Sequence, residues 1–171
     1  MIILLFGLMG AGKTAIGKPL AKKLGMKFIE LDHLILEQTG FDCIKKVYDY
    51  KMSLWKECEI EVCRDISTEN NLVIACGGGI IENDLNLIYF QEHCPNKCFI
   101  YLQANPQTLI ERIIATKGDK YKDVNISQMI NERYQKRDIL YRSWADKIIK
   151  TDKIPPIALA KKIAEKLQKK I

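Results

Sequence analysis

At 171 residues, with 47% hydrophobic and 28% charged residues, the chain has the length and composition of one globular domain. No stretch approaches the roughly 20 consecutive apolar residues that span a bilayer, and the N-terminal apolar run is too short for a signal peptide. The six cysteines form no CxxC pair, which favours reduced thiols. The net charge of +6 does not require a nucleic-acid partner, since the C-terminal lysines alternate with apolar residues at helical spacing. We expect a cytoplasmic monomer that binds neither nucleic acid nor membrane.

The first motif along the chain is a glycine-rich loop behind an apolar run. Residues 2–6 predict a buried strand, the octet from Gly7 to Thr14 fits Gly-x-x-x-x-Gly-Lys-[Ser/Thr], and helical periodicity follows. In such a loop the backbone N–H groups and the helix N-terminus bind a polyphosphate, the lysine reaches its outer phosphates and the hydroxyl binds Mg²⁺. We therefore predict a nucleotide-binding site with Lys13 as catalytic cation and Thr14 as magnesium ligand. Its residues are Gly10, Ala11, Gly12, Lys13, Thr14 and Ala15.

Strands and helices alternate along the rest of the chain. Apolar runs predict strands at 27–32, 72–76, 97–102 and 147–149, and helical periodicity separates them. This order predicts an α/β fold of three layers, a parallel sheet between two layers of helices. Ligands of such sheets bind at the carboxyl ends of the strands, and the phosphate loop, the acidic segment 30–32 and the glycines 77–79 all fall there.

Two of these segments have a structural and a functional interpretation. Glu30 and Asp32 suit Mg²⁺ held through water and a substrate hydroxyl held for attack, or they cap the helix that begins near His33. The triple glycine is either a flexible turn or a place where a ligand approaches backbone N–H groups.

Together these residues resemble the shikimate kinases along nearly the whole chain. The resemblance rests on the order and spacing of the phosphate loop, Glu30-x-Asp32, Trp55-Lys56-x-x-Glu59, Gly77-Gly78-Gly79, Arg112 and Arg137-x-x-x-Tyr141. It implies a single P-loop kinase domain over residues 1–171 with a five-stranded parallel sheet, an acceptor-binding helical segment at about 33–68 and a mobile lid at about 113–125. It also implies transfer of the ATP γ-phosphoryl group to the 3-hydroxyl of shikimate, in aromatic amino-acid biosynthesis.

The same resemblance implies roles for individual residues. Arg137 would pair with the shikimate carboxylate, and Asp32 would hold the ring hydroxyls and accept the proton of the attacking one. Arg112 would lie against the adenine. The acceptor pocket would be lined by Asp32, Lys56, Gly77, Gly78, Gly79 and Arg137, and the metal would be held by Thr14 and Glu30.

Three positions depart from the family pattern. Glu30 stands where the family usually has aspartate, and Lys56 where it has an arginine that binds the shikimate carboxylate. The lid sequence Arg-Pro-Leu-Leu is absent from residues 116–122, so Lys117 or Lys120 would have to supply the lid cation, and we take Lys120 as the catalytic candidate. These departures leave two alternatives open: a related kinase for another small hydroxy acid or polyol, and an ATP-binding regulator without transfer activity.

Overall fold

The computed structural model describes residues 1–40, 52–117, 121 and 124–168, with the side chain of Lys117 left out. Over these residues five strands alternate with seven α-helices. The strands are β1 (Ile2–Phe6), β2 (Lys27–Glu30), β3 (Leu72–Ala75), β4 (Lys97–Gln103) and β5 (Lys147–Lys150). The helices are α1 (Lys13–Leu24), α2 (Leu31–Thr39), α3 (Met52–Ser67), α4 (Leu85–His93), α5 (Pro106–Lys117), α6 (Ile126–Trp144) and α7 (Pro156–Gln168), with one 3₁₀ turn at Ile80–Glu82.

The five strands form one parallel sheet in the order β2-β3-β1-β4-β5. Every residue of β1 and β3 is buried. Because neighbouring side chains of a strand point to opposite faces, helices must cover both faces of the sheet centre. The predicted α/β architecture with a five-stranded parallel sheet is therefore confirmed.

The strand order places the predicted ligand segments side by side. β1 pairs with β3 on one side and with β4 on the other. The chain runs from β1 to β2 on one side and crosses from β3 to β4 on the other, and this reversal of direction opens a crevice at the carboxyl end of β1. The end of β2 pairs with the end of β3, Glu30 opposite Ala75, and Cys76 donates its N–H to the carbonyl of Leu5 at 3.0 Å. The phosphate loop, the acidic segment and the triple glycine thus share one edge of the sheet.

The structure corrects one strand boundary. The strand predicted at 27–32 ends at Glu30, and α2 begins at Leu31, so that Asp32 lies in the first helical turn. A carboxylate there interacts favourably with the helix dipole, which explains why the acidic residues end the strand instead of extending it.

The C-terminal helix has the predicted amphipathic form. α7 packs against α1 through a buried face that includes Leu159, Ile163 and Leu167, while Lys161, Lys162 and Lys166 are exposed. No helix in the described part of the chain is long and apolar enough to cross a bilayer.

Two predicted segments lie partly outside the described residues. Outside the described ranges lie residues 41–51 of the predicted acceptor-binding segment and residues 118–120 and 122–123 of the predicted lid. Lys120, the predicted lid cation, falls in this group.

Candidate active site

The phosphate loop ends in a residue that opens helix α1. Gly12 is the N-cap of α1 and adopts a left-handed conformation with φ of 95°, which a side chain would strain. The first helical N–H groups have no partner within a helix, so they and the positive end of the dipole face the edge of the sheet. Thr14 and Ala15 are exposed there. The local structure is the anion-binding turn that the motif predicts.

Lys13 folds back over its own loop. Its Nζ donates to the carbonyl oxygens of Gly7 at 2.8 Å and Leu8 at 3.1 Å. The ammonium therefore lies above the loop that would hold the phosphates, half-buried. Since an ammonium has three donors, Lys13 can bind a phosphate oxygen by exchanging one of these carbonyl contacts.

Arg112 connects the phosphate loop to the end of β5. Its Nη1 donates to the carbonyl of Gly10 at 3.2 Å and to Thr151 Oγ1 at 3.1 Å, and Nη2 donates to the Thr151 carbonyl at 2.6 Å. Thr151 is buried and follows β5 directly. Arg112 thus lies beside the phosphate loop, and its contact with the adenine stays a prediction. The partner Thr151 was not predicted, because no local sequence signal marks it.

Asp32 and Gly77 lie in contact, as their places on the same sheet edge predict. A Cβ on Gly77 would lie 2.5 Å from Asp32 Oδ1, which is closer than real side chains approach. A side chain at position 77 would therefore displace the Asp32 carboxylate from its place against the backbone. The close fit fixes the half-buried Asp32 beside the first glycine of the triplet.

Arg137 and Tyr141 contact the second glycine. Tyr141 Oη donates to the carbonyl of Gly78 at 2.6 Å and accepts a hydrogen bond from Arg137. Burial raises the pKa of Tyr141, so its hydroxyl stays protonated. The Arg137 side chain is only 14% exposed, and its Nη1 lies 3.6 Å from the position of a Cβ on Gly78. The structure thus brings Asp32 and Arg137 to adjacent glycines.

Glu59 forms a buried polar group behind Asp32. Asn86 Nδ2 donates to its Oε2 at 2.7 Å, and the Trp55 side chain donates a second hydrogen bond. Burial, together with the negative charges of Asp32 and Glu82, raises the pKa of Glu59 to about 7 despite these hydrogen bonds. The resemblance included Trp55 and Glu59, whereas Asn86 was missed.

Lys56 does not share the burial of its neighbours on α3. Trp55 and Glu59 are buried, while Lys56 is exposed at the surface of the helix. An exposed ammonium on a long stem is hydrated and mobile, so the geometry holds Arg137 far more firmly than Lys56.

The predicted metal ligands fit a magnesium ion bound mainly through phosphates and water. Glu30 is the N-cap residue of α2 but makes no cap hydrogen bond with its side chain, so the capping interpretation of Glu30 is wrong. Its carboxylate lies 3.4 Å from His33 Nε2 and is partly exposed. The described residues contain no group of three acidic, histidine or cysteine side chains that could hold a metal. One hydroxyl and one carboxylate suit Mg²⁺, which keeps several waters and substrate oxygens.

The fold and this site define a P-loop phosphotransferase of the α/β class. A family model for shikimate kinase matches residues 9–168. The chain belongs to the shikimate kinase family, whose members are ATP-dependent kinases, and it is therefore an enzyme that uses ATP and a small-molecule substrate.

Individual relatives match along nearly the whole chain. The shikimate kinase of Thermodesulfovibrio yellowstonii is 33% identical over 168 residues, which cover 98% of this chain and 95% of the relative. The structure of shikimate kinase from Acinetobacter baumannii in complex with shikimate superposes with a TM-score of 0.87 at 29% identity, covering 99% of this chain and 93% of that one. Shikimate kinase from Bacteroides thetaiotaomicron gives a TM-score of 0.81 at 26% identity, covering 98% of each chain.

Proposed function

We propose that this enzyme transfers the γ-phosphoryl group of ATP to the 3-hydroxyl of shikimate and releases shikimate 3-phosphate. The observation that carries the proposal is the pairing of Asp32 with Gly77 and of Arg137 with Gly78. A carboxylate that can bind a hydroxyl and a guanidinium that can bind a carboxylate thus lie beside neighbouring residues of one backbone segment. Shikimate offers both groups, and the relative from Acinetobacter baumannii was solved with it.

The mechanism depends on positioning and charge, since a phosphoryl transfer needs little covalent help from the protein. Arg137 binds the acceptor carboxylate, and Asp32 orients the attacking hydroxyl and accepts its proton late in the reaction. Lys13 moves from the carbonyls of its loop to the transferring phosphates. Thr14, and Glu30 through water, would hold Mg²⁺, which would supply further charge neutralisation on those phosphates.

The remaining assignments follow from the same model of the reaction. Arg112 lies against the adenine, which its place between Gly10 and Thr151 supports. Lys56 approaches the acceptor carboxylate from the surface, and Gly79 completes the pocket floor. Lys120 supplies the lid cation. The enzyme acts in the cytoplasm as a monomer with no nucleic-acid or membrane partner. Among the described residues, the buried thiols of Cys58, Cys63, Cys76 and Cys94 form no disulfide, which supports a reducing compartment.

One observation favours a second acceptor class. Lys56 replaces the family arginine and is exposed, so a single firmly held guanidinium recognises the acid. Another small hydroxy acid that offers one carboxylate and a hydroxyl at the right separation could use the same two glycines.

A coupled ADP-release assay tests the proposal. Mg·ATP is supplied with shikimate, with shikimate carboxamide, and with a panel of hydroxy acids and polyols. We expect robust turnover with shikimate and a large loss with the carboxamide, which keeps the hydroxyls but lacks the charge that Arg137 binds. Turnover with another acid and none with shikimate would establish the second acceptor class. ADP release with no acceptor at all would contradict both.

A further inference from the structure

The short turn after the triple glycine carries a glutamate whose place is fixed. Ile80 donates its N–H to the Gly77 carbonyl at 3.3 Å, and Glu82 donates its own to the Gly79 carbonyl at 2.9 Å. The side chains of Ile80 and Ile81 are buried in the core. Glu82 therefore stands at a set distance from the glycines that form the floor of the acceptor site.

The carboxylate of Glu82 binds two neighbouring cations of helix α6. Its Oε1 accepts from Arg137 Nε at 3.1 Å and from Lys136 Nζ at 2.7 Å. Although burial alone would raise the pKa of Glu82, the hydrogen bonds and charges of Lys136 and Arg137 outweigh it and lower the pKa. The side chain of Lys136 is 69% exposed and that of Arg137 is 14% exposed, so Arg137 is the less exposed of the two partners of Glu82.

A guanidinium has five N–H donors on two usable edges, one containing Nε and the other formed by the two Nη atoms. In Arg137 the Nε donor is taken by Glu82. Nη1 lies toward Gly78, and Tyr141 accepts a further hydrogen bond. Glu82 at Nε and Tyr141 beside Gly78 together restrain the orientation of the guanidinium.

We propose that Glu82 is a positioning residue for acceptor binding: it holds Arg137 by Nε so that the terminal edge of the guanidinium receives the acceptor carboxylate. The inference rests on the proposed function, because it assumes an acidic acceptor above Gly78. The guanidinium is then shared between an internal carboxylate on one edge and the carboxylate of the substrate on the other. The opposite role is that Glu82 competes with the acceptor for Arg137, and the two roles predict opposite changes in acceptor affinity.

The test compares four variants by steady-state kinetics with shikimate and Mg·ATP. Glu82→Ala removes the acceptor of the Nε hydrogen bond, whereas Glu82→Gln removes the charge but keeps a side-chain oxygen. Glu132→Gln is the matched control, since Glu132 is an exposed residue of α6 that accepts a hydrogen bond from Gln128. Arg137→Ala reports the underlying acceptor assignment. Thermal unfolding of each variant shows that the fold is retained.

We expect Glu82→Ala to raise the KM for shikimate about tenfold, as loss of a hydrogen bond to a charged group implies, with kcat and the KM for ATP within about twofold. Glu82→Gln should recover most of the loss, and Glu132→Gln should match the wild type. An unchanged or lower KM in Glu82→Ala, while Arg137→Ala raises it, would overturn the positioning role and leave the proposed function standing. An unchanged KM in Arg137→Ala would instead overturn the acceptor assignment, and the role of Glu82 with it.

Discussion

Substitution of Gly77 by alanine offers a direct test of the contact between Asp32 and the glycine floor. Gly77 is not among the glycines with positive φ, so an alanine adopts its backbone conformation without strain. The three atoms nearest to the added Cβ all belong to Asp32, and the nearest is Oδ1 at 2.5 Å. The methyl group therefore acts first on the Asp32 side chain.

The size of the effect follows from that distance. Ordinary contact with a Cβ begins at 3.4 Å, so Asp32 Oδ1 must move by about 0.9 Å. The carboxylate is the far end of a rotatable side chain, so its movement costs the fold little. Alanine also restricts the unfolded chain more than glycine does, and the resulting stabilisation of about 0.4–1 kcal/mol offsets part of that cost. Displacement of a catalytic group by about 1 Å costs roughly 100-fold in rate. We expect kcat for Gly77→Ala to fall by about two orders of magnitude.

The assay is coupled ADP release at saturating shikimate and Mg·ATP, with thermal unfolding measured alongside. Gly78→Ala is the variant for comparison. Its Cβ would lie 3.6 Å from Arg137 Nη1, which is an ordinary contact, whereas the Cβ at position 77 would lie 2.5 Å from Asp32 Oδ1. It should raise the KM for shikimate and leave kcat nearly unchanged. A Gly77→Ala enzyme with kcat within twofold of wild type and an intact fold would refute the role given to Asp32.

Two further predictions concern Lys13 and Glu59. Lys13→Met should lower kcat by about three orders of magnitude, since it removes a cation from the transferring phosphates, with ADP release and unfolding midpoint as the readouts. An activity near wild type would contradict the assignment of the loop. The pKa of Glu59 is raised by burial from 4.5 to about 7, so the native state binds this proton more tightly than the unfolded state, and the free energy of unfolding decreases as pH rises from about 4.5 to about 7. Glu59→Gln should remove this loss, so that the difference between variant and wild type in the free energy of urea unfolding changes by about 2.5 kcal/mol between pH 5 and 8. Parallel pH profiles would show that Glu59 does not titrate there.

Residues adjacent to strong local signals were predictable from the sequence. The phosphate loop is a contiguous octet, and the strand runs identify which segments follow strand ends, so Lys13, Asp32 and Gly77 could be placed at one sheet edge. The boundary after Glu30 was predicted wrongly, because the alternating apolar and acidic residues at 29–32 suit either a strand end or the first turn of a helix.

Contacts between distant segments were not predictable from residue patterns. Thr151 accepts two hydrogen bonds from Arg112 across 39 positions of sequence, and Glu82 lies 55 positions from Arg137. Neither Thr151 nor Glu82 belongs to a motif with a characteristic spacing. Such pairs form because the order of strands in the sheet brings chain segments together, and that order is a property of the whole fold.

The two sides of the active site are attached to different parts of the sheet, and this separation bears on how the acceptor can vary. The nucleotide side is held by Arg112, which ties the loop after β1 to the residue after β5. The acceptor side is held at the glycines after β3, where Gly77 contacts Asp32 and Gly78 contacts Arg137. Because no described hydrogen bond of Arg112 reaches these glycines, substitutions such as lysine at position 56 can alter recognition of the acid while the phosphate loop keeps its geometry. The departures from the family pattern on the acceptor and lid side are therefore compatible with an intact ATP site.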